Sequence, residues 1–208
     1  MNLIKSTGTF SFFTLISRLS GYLRDILIAI FLGAGPIADA FFVAFRLPNT
    51  FRRLFAEGTF NAAFIPSYTA ANLKSKKKSK IFADDVLSVL TLILLLIVTL
   101  AEIFTPYLVY LIAPGFIDDN IKFNLAVELT RITFPFLLFV SLSSFFSGIL
   151  NSNNKFAAAA AAPIILNVVL ITSILVSYFF DLNIVKQLSY GVTLAGISQL
   201  LFLIYFTF

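Results

Sequence analysis

The chain has 208 residues, of which 59% are apolar and only 12% are charged, and its mean hydropathy is +0.97. Soluble domains carry about a quarter charged residues, so this composition excludes an ordinary water-soluble fold. Cysteine and histidine are both absent, which removes disulfides, thiolate nucleophiles, Cys/His zinc sites and histidine bases. The net charge of +5 does not indicate nucleic-acid binding, because the lysines cluster in one short segment.

Six long apolar segments follow one another along the chain. Continuous apolar runs predict an all-α integral membrane fold, whereas the strands of a membrane barrel would alternate in polarity. A span needs about 20 mostly apolar residues. The predicted spans are residues 10–32, 37–71, 86–113, 125–150, 156–180 and 187–208. The second segment is too long for one straight span, so it must tilt, kink or project, and Pro48, Gly58 and Pro66 offer break points.

The charged connections predict an orientation. With alternating spans, the amino terminus, the lysine-rich segment 74–80 and Lys155 lie on one side, which the positive-inside rule places in the cytoplasm. The turn at 33–36 and the acidic pair Asp118–Asp119 lie on the other. We expect the lysines to attract anionic membrane lipids. Because Phe208 falls inside an apolar run, we expect the chain to be part of a longer protein.

The first span carries Arg18 and Arg24 well inside its apolar stretch. An arginine at the centre of a span costs about 2.5–3.5 kcal/mol on insertion scales, so two of them require partners, water or a ligand. Helical spacing puts Arg18 and Asp25 on one stripe and Arg24 on a neighbouring one. Asp25 lies nearly two turns from Arg18, so we expect Asp25 to pair with a residue of another helix.

The second segment is denser in charge. If it is helical, one side of it carries Asp39, Arg46, Asn49, Arg53 and Glu57, while Arg52 points elsewhere. The two segments together hold five arginines, at 18, 24, 46, 52 and 53, against three carboxylates, at 25, 39 and 57. This surplus favours a water-filled cavity that attracts anions, and arginine suits phosphate because its planar fork donates two parallel hydrogen bonds. Purely structural ion pairing is the alternative.

Several stretches resemble one known family along the whole chain in order. These are residues 1–6, 17–25 (SRLSGYLRD), 31–35 (FLGAG), 39–49 (DAFFVAFRLPN), 52–58 (RRLFAEG), 113–116 (APGF), 132–135 (ITFP) and 148–151 (GILN). They are similar to the start of the MurJ/MviN lipid II flippases, which belong to a superfamily of multidrug and oligosaccharide-lipid exporters. The resemblance implies the first lobe of a transporter with two six-helix lobes around a central cavity, the second lobe being absent from this chain.

The same resemblance implies function and site residues. The family moves the undecaprenyl-pyrophosphate-linked peptidoglycan precursor, lipid II, from the cytoplasmic to the periplasmic leaflet of the bacterial inner membrane. The resemblance also implies that Arg18, Arg24 and Arg52 bind substrate. We expect the cavity or gate residues to be Asp25, Asp39, Arg46, Asn49, Arg53 and Glu57. We expect no cofactor, no metal and no nucleic-acid partner; the expected partners are lipid II, membrane lipids and the second lobe.

Two other functions remain open at this point. One is a different exporter of the same superfamily, for a drug or another polyprenyl-linked glycan. The other is a membrane scaffold or lipid-binding module that transports nothing, in which the arginines only pair internally. An enzyme is disfavoured by the missing nucleophile and metal motifs, although a carboxylate mechanism is not strictly excluded.

Overall fold

The computed structural model describes the backbone of residues 3–55 and 59–208 and the side chains of residues 8–50 and 60–208. The regular structure in these ranges is helical. The helices are α1 (Leu3–Leu32), α2 (Pro36–Phe55), α3 (Thr59–Lys74), α4 (Lys76–Ile103), α5 (Thr105–Ile112), a 3₁₀ turn (Pro114–Phe116), α6 (Asn120–Thr133), α7 (Phe136–Ser152), α8 (Phe156–Phe179) and α9 (Ile184–Thr207). The all-α class that the apolar runs predicted is confirmed.

Four helical stretches in the described ranges are long and apolar enough to cross a membrane. They are Lys76–Ile103, Asn120–Ser152, Phe156–Phe179 and Ile184–Thr207, and they fall on the last four predicted spans. The first two predicted spans are not among them, because α1 and α2 hold several charged residues and α3 is only 16 residues long. The number of six spans therefore stays a prediction.

The long second segment consists of two helices. Helix α2 has 20 residues and would extend about 30 Å at 1.5 Å per residue, and α3 has 16. Pro48 and Pro66 both lie inside helices, so neither is the break point that the sequence suggested. Gly58 falls between the two helices and lies outside the described residues. Because α2 continues past Pro48, the residues on either side of it keep their helical register.

The third predicted span differs from the structure at its start. Helix α4 begins at Lys76, ten residues before the apolar run, because the side chain of Ser75 accepts a hydrogen bond from the Lys78 amide and caps the helix. Lysine and aspartate are compatible with a helix in water, so hydropathy alone does not mark where this helix starts. Farther on, the helical path breaks at Phe104, just before Pro106, and again at Phe134–Pro135.

Polar contacts show which connections share an end of the helical bundle. At one end, Lys122 forms an ion pair with Asp39 and Lys186 forms one with Glu128, both at 2.6 Å. The turn between α1 and α2 also lies at this end, where Gly33 adopts a φ of 66° that a side chain would strain and Pro36 opens the next helix. At the other end, a cavity of about 440 Å³ is lined by the start of α4 and the ends of α7 and α9.

Helix α8 has two main neighbours. It packs against α9 on one side and α1 on another, while α2 packs mainly against α6. The α2–α6 contact includes a buried hydrogen bond of 2.9 Å from the Thr133 hydroxyl to the Ala44 carbonyl oxygen. Phe41 and Phe134 are almost fully buried in the same core. Helices α1 and α2 are thus anchored mainly to different neighbours, α1 to α8 and α2 to α6.

Candidate functional site

An open cavity of about 900 Å³ lies between α1, α2 and α8. Helix α1 contributes Ser17, Arg18, Gly21 and Arg24; α2 contributes Phe42, Phe45, Arg46, Asn49 and Thr50; α8 contributes Pro163, Leu166 and Asn167. The volume is near the upper end of the usual range for ligand sites, about 300–1,000 Å³. The cavity collects predicted residues from both arginine-bearing helices.

Arg18 and Arg46 face this cavity from opposite walls. Both side chains are exposed, and neither forms a hydrogen bond or ion pair with any residue in the described part of the chain. Their guanidinium groups are always charged in proteins. The cavity therefore offers two cations whose donors are available to a ligand.

Arg24 is held in place. Its Nε and Nη2 atoms donate to Asp25 Oδ1 at 2.9 and 2.7 Å, and its Nη1 atom donates to Asn167 Oδ1 at 2.8 Å. The Arg24 side chain is 17% exposed, whereas that of Asp25 is 63% exposed. The expectation that Asp25 pairs across helices is wrong, because the long arginine side chain folds back to the adjacent carboxylate.

Asn167 is a site residue that the sequence reasoning missed. It lies in the middle of α8, is only 4% exposed, and donates to the Ser17 carbonyl oxygen and the Ser20 hydroxyl, both at 3.0 Å. A signal was present, because a lone amide in an apolar helix usually faces the bundle interior and bonds to another helix. The sequence does not reveal which helix that is, since the partners lie about 150 positions earlier.

The remaining predicted site residues differ in where the structure places them. Asn49 lines the cavity with Arg46, as their shared helical side predicted. Asp39 lies in the first turn of α2, about 10 Å before Arg46 along the helix, and pairs with Lys122 outside the described cavity lining. The side chains of Arg52 and Arg53 and the whole of Glu57 lie outside the described residues.

The cavity is arranged to attract an anion. Three arginines line it, and no carboxylate is among its described lining residues. A concave surface lined by one sign of charge concentrates ligands of the opposite sign. Guanidinium groups bind phosphate and pyrophosphate oxygens with paired hydrogen bonds. Phe42, Phe45 and Leu166 place an apolar surface beside these cations, which suits a ligand that is both anionic and amphipathic.

Comparison with known proteins shows the family of the chain. The family model described as "Lipid II flippase MurJ" matches residues 28–208. The chain belongs to the lipid II flippase MurJ family. It is therefore an integral membrane protein of a transporter family, as the resemblance of its motifs indicated.

Relatives in this family match nearly the whole chain. A probable lipid II flippase MurJ of Rhizobium tropici is 46% identical over 206 residues, which cover 96% of this chain and 38% of the relative. The lipid II flippase MurJ of Burkholderia cenocepacia is 38% identical over 203 residues, covering 97% of this chain and 39% of the relative. The chain thus spans about two fifths of the length of these relatives.

A solved structure gives the same result for the fold. The structure titled "Lipid II flippase MurJ, inward closed conformation" superimposes with a TM-score of 0.80 at 31% identity. The match covers 94% of this chain and 41% of that chain. The helix arrangement described above is therefore that of one part of a MurJ protein.

Proposed function

We propose that this chain is the amino-terminal six-helix lobe of a two-lobe lipid II flippase. The complete transporter moves the undecaprenyl-pyrophosphate-linked peptidoglycan precursor from the cytoplasmic to the periplasmic leaflet of the bacterial inner membrane. The observation that carries the proposal is the cavity with three arginines and no carboxylate in its described lining. Membership of the MurJ family supports the substrate.

The chemistry of lipid II fits this cavity. Its pyrophosphate and sugar-peptide head cannot cross hydrocarbon unaided, because stripping water from charged groups is very costly. The arginines that line the cavity replace that water while the undecaprenyl tail stays in the bilayer. Rocking of two lobes then exposes the cavity to each side of the membrane in turn.

The residues have different proposed roles. Arg18, Arg24 and Arg52 bind the pyrophosphate, and Arg46 and Asn49 extend the polar wall on α2. Asp25, Asp39, Arg53 and Glu57 complete the cavity or its gates. Arg18 and Arg46 are supported as ligand-binding cations by their lack of partners among the described residues.

Substitution of the arginines tests the proposal. Hydrogen bonds to charged groups contribute about 1.5–3 kcal/mol each, so Arg18→Ala, Arg24→Ala and Arg52→Ala are each expected to weaken lipid II binding roughly 10- to 150-fold. Binding is measured by native mass spectrometry of the native-length protein. Function is measured by rescue of a strain depleted of its own flippase, with expression monitored.

A matched control removes a positive charge elsewhere. Lys77 is exposed in the first turn of α4 and is not among the described residues that line the cavity, so Lys77→Ala is expected to leave lipid II binding and rescue unchanged. Full rescue by all three arginine variants at normal expression would contradict the assignment. Equal losses for Lys77→Ala would indicate a general charge effect instead of a site.

The orientation is also proposed, with the amino terminus in the cytoplasm. The chain lacks cysteine, so single-cysteine variants are clean reporters. With a membrane-impermeant maleimide, Lys77→Cys is expected to react only after permeabilisation, whereas Asp118→Cys reacts in intact spheroplasts. The reverse pattern would invert the topology.

A further inference from the structure

The hydrogen bonds of the Asn167 side chain fix which way its amide group points. The Ser17 carbonyl oxygen can only accept a hydrogen bond and the Arg24 guanidinium can only donate one. The Asn167 Nδ2 group must therefore face Ser17, and Oδ1 must face Arg24, as observed at 3.0 and 2.8 Å. Both Nδ2 hydrogens have acceptors, since the second bond goes to the Ser20 hydroxyl.

The local packing of α1 against α8 permits these bonds. Gly21 lies on the side of α1 that faces Asn167, and a Cβ atom there would be 3.5 Å from Asn167 Nδ2. A Cβ at this distance makes only an ordinary van der Waals contact, so alanine would also fit, whereas a long side chain at position 21 would press on Asn167. The small residue and the amide together keep α8 close to Arg24.

The guanidinium of Arg24 still has capacity for a ligand. It carries five N–H groups, and three of them donate to Asp25 Oδ1 and Asn167 Oδ1. Two N–H groups therefore remain, on a side chain that lines the cavity and is held at both Nη atoms. A free arginine would lose much rotational freedom on binding an anion, and this one has already lost it.

We propose that Asn167 is a positioning residue for Arg24 in pyrophosphate binding. The inference rests on the proposed function, because it assigns Arg24 to the pyrophosphate site. Asn167 does not contact the anion itself in this role. It holds the guanidinium at the cavity wall with two donors free, and its bonds to Ser17 and Ser20 keep its own side chain in place.

A double-mutant cycle distinguishes positioning of Arg24 by Asn167 from a general role of Asn167 in holding α8 against α1. The variants are Asn167→Leu, which keeps the side-chain size and loses every hydrogen bond, Arg24→Ala, and the two combined. The probe is undecaprenyl pyrophosphate, with undecaprenol as the uncharged comparison, binding to the native-length protein in nanodiscs. Asn167→Leu is expected to weaken probe binding about tenfold in the wild-type background. In the Arg24→Ala background it is expected to change binding less than twofold.

Two comparison variants exclude a purely structural effect. Ser20→Ala removes a partner of Nδ2 and leaves the Asn167–Arg24 bond, so it is expected to lower stability slightly and keep probe binding within about twofold of wild type. Thr172→Val is the control on α8, because Thr172 is exposed and, among the described residues, its hydroxyl bonds only to the Val168 carbonyl of its own helix. If Asn167→Leu does not fold, as judged by helical circular dichroism, Asn167→Ala replaces it in the cycle.

The outcomes are distinguishable. If wild type binds the pyrophosphate probe and Asn167→Leu weakens it equally in both backgrounds, the positioning role is overturned and the proposed function stands. Binding losses that are the same for Ser20→Ala and Asn167→Leu also overturn it. If wild type binds undecaprenyl pyrophosphate no better than undecaprenol, the proposed function fails and the positioning role fails with it.

Discussion

The contact between α8 and α9 at Gly191 gives a prediction whose sign depends on two opposing effects. A Cβ atom at Gly191 would lie 2.3 Å from Ser173 Oγ and 3.0 Å from Ser173 Cβ. Overpacking of this kind costs about 1–3 kcal/mol. Replacing glycine by alanine inside a helix otherwise raises the free energy of unfolding by about 1 kcal/mol. The Ser173 hydroxyl, which makes the severest overlap, can rotate away only by giving up its hydrogen bond to the Val169 carbonyl, and Ser173 Cβ moves only with its helix. We therefore expect an overpacking cost in the upper part of that range, about 2–3 kcal/mol, and a net loss of about 1–2 kcal/mol for Gly191→Ala.

The same geometry predicts a rescue. Ser173→Ala removes the closest atom, and the next contacts of the added Cβ are then Ser173 Cβ at 3.0 Å and Leu170 Cδ2 at 3.3 Å. Within the described part of the chain, the Ser173 hydroxyl donates only to the Val169 carbonyl of its own helix, so its removal breaks no bond between described helices. The double variant Gly191→Ala/Ser173→Ala is therefore expected to be more stable than Gly191→Ala alone.

Thermal unfolding followed by circular dichroism at constant detergent measures these effects. For a chain of this length, 1 kcal/mol corresponds to roughly 2–4 °C in Tm, so Gly191→Ala is expected to lower Tm by about 2–8 °C. Gly8→Ala is the matched control, because a Cβ at this helical position meets nothing within 4 Å, and its Tm is expected to be unchanged or higher. A Gly191→Ala variant as stable as Gly8→Ala, or an absent rescue by Ser173→Ala, would refute the reasoning.

Two further predictions concern charges near the cavity and at one end of the bundle. Replacing Asp25 by Asn removes the carboxylate that competes with a ligand for Arg24. Because exposed ion pairs contribute about 0.2–1 kcal/mol, Asp25→Asn is expected to tighten binding of undecaprenyl pyrophosphate up to about fivefold. Titration in nanodiscs checks this, and weaker binding would show that Asp25 is needed to hold Arg24. The variants Asp39→Asn and Lys122→Met are each expected to lower the free energy of unfolding by less than about 1 kcal/mol, because each removes the same part-exposed ion pair. The double variant is therefore expected to lose less than the sum of the two single losses. Additive losses in thermal unfolding would show that the ion pair contributes no stability.

Much of the architecture could be predicted because it depends on local patterns. Apolar runs of more than 20 residues predict helices, and the glycine-proline turn at 33–36 marks the end of α1 correctly. The shared side of Arg46 and Asn49 follows from a spacing of three residues, and both line the cavity. Hydropathy, however, reports which part of a helix suits lipid, so it missed the first ten residues of α4, where lysines and aspartates precede the apolar run.

The arrangement of partners could not be predicted, because it depends on contacts between distant parts of the chain. Asn167 and Arg24 are 143 positions apart and meet only after α1 packs on α8. Pro48 looked like a break in α2, yet the helix continues through it, and Pro48 is buried. Asp39 shares a helical side with Arg46 but lies two turns away, where Lys122 of α6 is the nearer cation. Periodicity gives the direction of a side chain and leaves its neighbour undetermined.

The two walls of the cavity are held by different helices, and this has a mechanical consequence. Helix α1 is bound to α8 through Asn167, whereas α2 is bound to α6 through the Thr133–Ala44 hydrogen bond and the Asp39–Lys122 ion pair. A shift of the α1–α8 pair relative to the α2–α6 pair would therefore change the separation of Arg24 and Arg46 without breaking either anchor. Both pairs also pack on α9 and share one buried core, so such a shift would have to slide α1 and α8 along that core. Under the proposed function, the lobes rock around the binding site as a whole, and a rigid arrangement of Arg24 and Arg46 within this lobe is compatible with that motion.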